Sequence, residues 1–475
     1  MKENDGIAKD RSIPVVTADD DIQDLYVSRV KIHPREIDGR FSTLRRLSVW
    51  VLLGIYYLVP WIPWGDRQMV LFDLPARKFY VLWFSFFPQD FLYLAFFLII
   101  CALSLFLFTA LAGRLWCGYA CPQTVWTEVF IWIEQKVEGN RSHRLKLDRQ
   151  PLNQNKLLKK ITKHSIWVVF ALWTGFTFVG FFTPITDLGA RLVSLELGPW
   201  ETFWIIFYSF ATYGNAGWMR EQVCIYMCPY ARFQSAMFDS DTLVIAYDET
   251  RGEQRGSRKR DSDYQTEGLG DCIDCTMCVQ VCPTGIDIRD GLQYECISCA
   301  ACIDACDSVM DKVGYPRGLV RYTSENAVQG KSIHILRTRT LIYGAILLTL
   351  IIGLITSIVL RTPLGLDVLR DRNSLYRQTD EGWVENVYTL KFINMDEQRH
   401  RYRLSVSGIP DMKLIRDNRQ IIAESGEIIS LPVRIQVDPA DLKRPSTEIT
   451  FSAVSATDEA IQVEEKARFL GPVQR

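Results

Sequence analysis

Apolar and polar residues are segregated along this chain rather than mixed. Five stretches, 47–65, 91–113, 165–186, 202–219 and 340–360, carry no charged side chain, and each approaches the ~20 apolar residues that an α-helix needs to cross a bilayer. The pattern predicts an α-helical membrane bundle of five spans. Pro60 and Pro63 in the first stretch, and Tyr213-Gly214-Asn215 in the fourth, leave buried core helices as the alternative for those two. Residues 79–89 are apolar but short, which reads as an interfacial or re-entrant segment. After residue 361 the period changes to two: 385–392, 402–406, 428–437 and 447–451 alternate polar with apolar, the pattern of half-buried strands. Turn signals at Ser407-Gly408 and Asp438-Pro439 separate them. The size and the absence of cysteine predict an all-β immunoglobulin-like sandwich held by core packing alone, with a β-barrel as competitor. Docking is its expected role.

Charge sets the expected orientation. Nine Lys and Arg precede the first stretch, three lie in the first loop, ten between 114 and 163, and only Arg191 in the third loop; the positive-inside rule then places the N-terminus in the cytoplasm. No signal peptide is evident, because the first apolar run begins late and follows several acids. The expected organisation is a cytoplasmic segment 1–46, a four-helix core 47–219, a cytoplasmic region 220–339, a fifth span 340–360 and an extracytoplasmic domain 361–475. Lipid is the expected partner, in a bacterial cytoplasmic (inner) membrane. Across the whole chain 54 Lys and Arg face 55 Asp and Glu, so no basic field points to nucleic acid.

Thirteen cysteines carry the chemistry. Cys272, Cys275, Cys278 and Cys282, followed by Pro283, read C-x2-C-x2-C-x3-C-P; Cys296, Cys299, Cys302 and Cys306 repeat the spacing, with Asp307 where the proline stood. This is the bacterial ferredoxin signature for two 4Fe-4S clusters, in which the fourth cysteine of each run serves the other cluster. Cys272, Cys275, Cys278 and Cys306 are therefore assigned to one cluster, and Cys282, Cys296, Cys299 and Cys302 to the other, within about 265–322. Zinc ribbons use C-x2-C pairs but not such triples. Losing the proline weakens only a local turn. The charged stretch 248–263 reads as a solvated linker.

A second repeat follows the second and fourth apolar stretches. Cys117-Gly118-Tyr119-Ala120-Cys121-Pro122 and Cys224-Ile225-Tyr226-Met227-Cys228-Pro229 share C-x-Y-x-C-P, each preceded by small residues, Ala112-Gly113 and Ala216-Gly217. The correspondence suggests a duplicated two-helix unit. In a helix, residues i and i+4 face alike, so the two copies can offer four sulfurs, soft ligands suited to Cu(I), zinc or iron–sulfur. Met219, Met227 and Met237 read as packing, as does Cys101. The five histidines show no paired spacing for haem; His164 and His334 read as interfacial polar residues.

Taken in order, the paired C-x-Y-x-C-P motifs, the double ferredoxin motif, one further span and a β-rich end resemble the CcoG/FixG family of cytochrome c oxidase accessory proteins over nearly the whole chain. The resemblance implies assistance in assembling a cbb-type cytochrome c oxidase, with electrons passed through the clusters to reduce Cu(II) to Cu(I). It implies that Cys117, Cys121, Cys224 and Cys228 form the copper or redox site, and that oxidase subunits or copper-delivery proteins are partners. The electron donor stays open. Two other readings fit the same plan: a NapH-like quinol dehydrogenase serving an extracytoplasmic partner, and a non-redox assembly scaffold with structural clusters.

Overall fold

The computed structural model describes residues 31–472, apart from 66, 259–265, 267, 372–373, 397 and 417–419. All five apolar stretches fall on helices, but with different bounds. Among the described residues two helices are long and apolar enough to cross a membrane, Phe91–Ala112 and Thr338–Val359. Protein buries 6% and 0% of their most apolar windows, so neither is the core helix of a soluble fold, and a helix apolar all round must be covered by something. The other three stretches lie in Arg40–Leu58, Gln154–Val179 and Pro199–Thr212, which are too polar or too short to qualify on the same grounds.

The two apolar helices lie side by side in opposite directions. The Arg337 guanidinium donates to Ala110 O (2.8 Å) at one end, Tyr93 Oη reaches Ser357 O (3.4 Å) near the other, and Arg361 pairs with Asp90 beyond it (2.5 Å). The ferredoxin segment joins the first end and the β domain the second. Cys101 is exposed on the outer surface of this pair, not packed as expected, because almost nothing of that helix is covered.

Residues 79–89, expected to be interfacial or re-entrant, are largely extended: Lys78–Val81 and Phe84–Phe86 form a three-stranded antiparallel meander with Val70–Asp73, and their aromatic residues suit strand pairing.

The C-terminal region forms two packed antiparallel sheets. One runs Lys413–Arg416, Ile428–Val437, Val384–Asn394, Leu364–Arg370, with Arg377–Gln378 added to Val384–Asn394; the other runs Ile421–Ala423, His400–Ser407, Ser446–Ser455, Gln462–Leu470. Tyr388, Leu390, Phe392, Val433 and Ile435 from the first meet Ile449, Phe451, Ala453 and Phe469 from the second in one core. The sheets are open, which makes a sandwich and not a barrel.

The ferredoxin segment is closed by a two-stranded ribbon of Val244–Tyr247 and Val320–Thr323, which bracket it in the chain. Residues 248–258 do not form the solvated linker expected of them. Asp248 pairs with Arg321 (2.8 Å), Arg251 pairs with Asp271, and Arg258 donates to Cys272 O (2.8 Å), so opposite charges bind this stretch to the ferredoxin body. Residues 259–263 lie outside the described residues.

Candidate functional site

Both ferredoxin motifs impose the same unusual backbone. The second and fourth residues after each leading cysteine, Asp274 and Thr276 in one motif, Ser298 and Ala300 in the other, have φ of 53, 55, 53 and 60°. Left-handed backbone costs a non-glycine residue about 1–2 kcal/mol, so four such residues at matching offsets mark loops bent around something. After each loop a helix begins, Met277–Gln280 and Ala301–Val313. Asp307 sits inside the longer helix and accepts from Gly318 N (2.9 Å). There is thus no turn at Cys306 for a proline to support.

The eight thiols line two neighbouring cavities. Cys272, Cys275, Cys278 and Cys306 line one with Tyr247 and Leu319; Cys282, Cys296, Cys299 and Cys302 line the other, with Cys278 on the wall between. Cys272, Cys278, Cys296 and Cys299 are buried, whereas Cys275 is exposed. Burial pushes the Cys278 thiol up to about 11 and those of Cys296 and Cys306 up to about 12. Thiols held apart around a cavity, and costly to ionise without a metal, fit a cubane, whose iron and sulfide fill the space between ligands.

In the C-x-Y-x-C-P motifs the cysteines are not on one continuous helix. Leu115–Tyr119 and the π-helical turn Val223–Met227 end between them, and Cys121 and Cys228 are extended residues starting new helices at Pro122 and Pro229. Proline forbids the helical conformation in the residue before it and favours the first helical position itself. Each copy therefore places its second sulfur at a helix entrance.

The internal repeat is also offset from its sequence reading. Gly113 (φ 55, ψ −125) and Arg220 (φ 46, ψ −111) share one backbone conformation, each four residues ahead of the first cysteine. Gly217 is not the counterpart of Gly113; it lies a turn earlier, where an added Cβ would touch the Phe130 ring at 3.1 Å. Arg220 tolerates a glycine conformation because Glu134 (2.7 Å) and Gly217 O (2.9 Å) hold its guanidinium. Glu134 is itself fully buried, and Lys31 (2.7 Å), Lys163 (3.4 Å) and Arg144 (3.7 Å) also converge on it.

The structure brings the four half-buried sulfurs into one neighbourhood. Burial raises the Cys224 thiol to about 12, reinforced by Cys121, Cys117 and Cys228; burial likewise raises Cys117 to about 11. Two glutamines cross between the copies. Gln234, fully buried after the second motif, donates to Cys117 Sγ (3.2 Å), and Gln123, beside the first, donates to Asn215 O (2.9 Å) and Arg220 O (3.0 Å). Among the described residues no three His, Cys, Asp or Glu side chains stand close enough to hold one metal ion. Met237 Sδ instead contacts Arg339 (3.3 Å) and Met227 is exposed. His164 bonds the Tyr213 hydroxyl (2.8 Å).

This neighbourhood is docked on the ferredoxin at three points. Asp304, from the helix carrying Cys302 and Cys306, accepts from Ser42 N (2.7 Å) and Phe41 N (3.2 Å) and so caps Arg40–Leu58; an added Cβ on Gly39 would overlap it. Arg114 donates to Tyr294 O, just before Cys296. Gly118 lies against the second ferredoxin loop so closely that a Cβ would meet Ile297 O at 2.7 Å and the Cys299 backbone at 2.9 Å. Cys117 packs in the same apolar cluster as Ile297, Cys299 and Cys302. Gly118, Asp304 and Arg114 were not singled out by motif reading. The signal for Gly118 is an asymmetry, since its counterpart in the second copy is Ile225.

Two iron–sulfur loops, a four-cysteine neighbourhood against one of them and an exposed pair of apolar helices define an iron–sulfur electron-transfer protein. Three family models match: "4Fe-4S binding domain" over 94–140, "4Fe-4S dicluster domain" over 219–325, and "IG-like fold at C-terminal of FixG" over 354–472. The chain is 41% identical over 415 residues to "Protein RdxB" of Cereibacter sphaeroides, covering 84% of this chain and 87% of that protein. It is 40% identical over 424 residues to "Nitrogen fixation protein FixG" of Rhizobium meliloti, covering 81% of each. A crystal structure of a FixG-related protein from Vibrio parahaemolyticus shares 38% identity, with TM-score 0.21, over 23% of this chain and 95% of that one. The chain belongs to the FixG family, and it binds 4Fe-4S clusters and ends in an immunoglobulin-like domain.

Proposed function

We propose that the protein is a membrane-bound Cu(II) reductase serving assembly of a cbb-type cytochrome c oxidase. Its clusters, held by Cys272, Cys275, Cys278 and Cys306 and by Cys282, Cys296, Cys299 and Cys302, supply single electrons at low potential. Copper is the substrate, received at Cys117, Cys121, Cys224 and Cys228, where thiolates favour the Cu(I) product. The observation carrying the reading is the packing of Gly118, inside the first C-x-Y-x-C motif, on the backbone of Cys299. At Gly118 that contact leaves no room even for a Cβ between the first C-x-Y-x-C motif and the second ferredoxin loop. Cu(I) is satisfied by two thiolates, so one pair suffices where no three ligands yet converge.

The oppositely directed apolar helices, with the ferredoxin at one end and the sandwich at the other, support clusters and β domain on opposite sides of the membrane; the charge-free stretches and the Lys/Arg pattern are the grounds for proposing five spans with the clusters in the cytoplasm. An exposed Cys275 edge suits a soluble one-electron donor, and the outer sandwich suits docking to oxidase subunits or copper-delivery proteins. The test is to reduce the detergent-solubilised protein anaerobically and offer Cu(II) or an oxidised quinone in separate mixtures. Chelated Cu(I) appearing in step with cluster reoxidation supports the proposal; reoxidation by the quinone alone makes it a quinol-type dehydrogenase.

Because burial keeps the Cys117 and Cys224 thiols protonated at neutral pH, metal uptake there releases protons. Apparent Cu(I) affinity is therefore expected to rise about tenfold per pH unit for each proton released, from pH 6 to 8. Competition with a Cu(I) chelator reads this directly, and a flat profile would mean the thiols are not the ligands.

A further inference from the structure

We propose that Arg114 is the positioning residue that joins the four-cysteine site to the ferredoxin, holding the Cys296 loop and raising the reduction potential of the cluster bound there by its charge. The inference rests on the reading of the eight ferredoxin cysteines as cluster ligands.

Arg114 stands three residues before Cys117 and is only 5% exposed. Its guanidinium donates to two backbone carbonyls from elsewhere in the chain, Tyr294 O, two residues before Cys296, and Ala231 O, three residues after Cys228. One side chain thus ties the first C-x-Y-x-C-P copy to the second and to the ferredoxin. Among the described residues no carboxylate pairs with it. The neighbouring buried cations differ: Lys163 and Arg220 are neutralised by Glu134 and Glu138. Arg45, which lines a cavity with Cys224 and Cys299, pairs with Glu128 at 3.3 Å.

A buried guanidinium facing only carbonyls is costly unless an anion lies close. The loop it holds carries Cys296, whose sulfur is an anion once it ligates iron. A fixed cation beside a metal–thiolate centre stabilises the form with one more electron and raises the potential.

The test uses the full-length protein in detergent, loaded with iron and sulfide, and titrated by potential with EPR detection and without copper. Arg114→Gln should lower the equilibrium constant for reducing one cluster at least tenfold, about 59 mV for one electron, leaving the other in place. Arg45→Gln should leave amide exchange around Tyr294 at the wild-type rate, because that guanidinium pairs with Glu128 and contacts Cys299, not the Tyr294 carbonyl. Arg114→Lys should keep most of the potential yet speed amide exchange around Tyr294, since an ammonium cannot span both carbonyls. Unchanged potentials in an iron-replete Arg114→Gln would overturn the proposal. Should that variant lose its iron, Arg114→Lys decides, and wild-type exchange at Tyr294 with wild-type potentials would equally sink it. Copper is absent throughout, so failure of copper reduction leaves this result standing. A wild-type protein with no cluster signal overturns the eight-cysteine reading, and this inference with it.

Discussion

Gly118→Ala is expected to slow Cu(II) reduction by about 100-fold, the scale on which ångström misplacements act at reacting centres, while iron and sulfide content stay at wild-type values. The added methyl would sit 2.7 Å from Ile297 O and 2.9 Å from the Cys299 backbone, and no flexible side chain is there to yield. The ferredoxin loop must move off the first C-x-Y-x-C motif instead. Cluster ligation is internal to the ferredoxin and should survive, because the two cavities are walled by its own cysteines. Ile225→Ala, at the matching position of the second copy, provides the comparison and should change the rate by less than about threefold by the same scale. Stopped-flow recovery of the cluster absorbance as Cu(II) reoxidises the reduced protein gives both rates. Equal rates for Gly118→Ala and wild type would place the electron's exit elsewhere.

Glu134→Gln is expected to destabilise the protein by about 3–5 kcal/mol, the usual result of removing one partner from a buried ion pair. Arg220, Lys163, Arg144 and Lys31 all lean on this fully buried carboxylate, and Glu138 relieves only Lys163 (2.8 Å) and Lys160 (3.0 Å). Arg220 suffers most, because Glu134 also maintains its glycine-like backbone four residues before Cys224. Glycine at 220 removes the stranded cation and accepts the backbone, so Glu134→Gln with Arg220→Gly should be more stable than Glu134→Gln alone. Thermal unfolding in detergent tests both statements, and a double variant no better than the single would remove Arg220 from the account.

The same carboxylate fixes a pH dependence. Burial alone would raise its pKa, but Arg220, Lys31 and Lys163 hold it well below the usual carboxylate range. A depressed folded pKa contributes stability that is complete above the unfolded value, about 4.3, and is lost as pH falls below it. Wild-type stability should therefore decline from about pH 5 downward more steeply than that of Glu134→Gln.

How much of this was legible depended on whether the cause lay within one stretch of chain. Cysteine spacing is local, and so is the alternation that marked Val384–Asn394, His400–Ser407, Ile428–Val437 and Ser446–Ser455. Shorter or less regular strands such as Lys413–Arg416 and Ile421–Ala423 escaped, because three or four residues hold too little period to read. The left-handed turns at Asp274, Thr276, Ser298 and Ala300 carry no glycine to announce them. Similarly, Gly113 and Arg220 perform one backbone task with dissimilar residues, so alignment by small residues chose Gly217 instead. Asp304 caps a helix more than 250 positions away in the chain, and only tertiary structure reveals that. Charge in 248–258 suggested solvation because its partners, Arg321 and Asp271, are supplied by the ferredoxin body.

The central claim is that electrons reach copper through the four-cysteine site. The direct measurement is rapid mixing of the reduced, iron-replete protein with Cu(II), with Cu(I) captured by chelator, in the wild type and in a variant with serine at 117, 121, 224 and 228. The account predicts Cu(I) in step with cluster reoxidation in the wild type, and neither in the variant at the same iron content. Equal Cu(I) yields and rates from both proteins would contradict it.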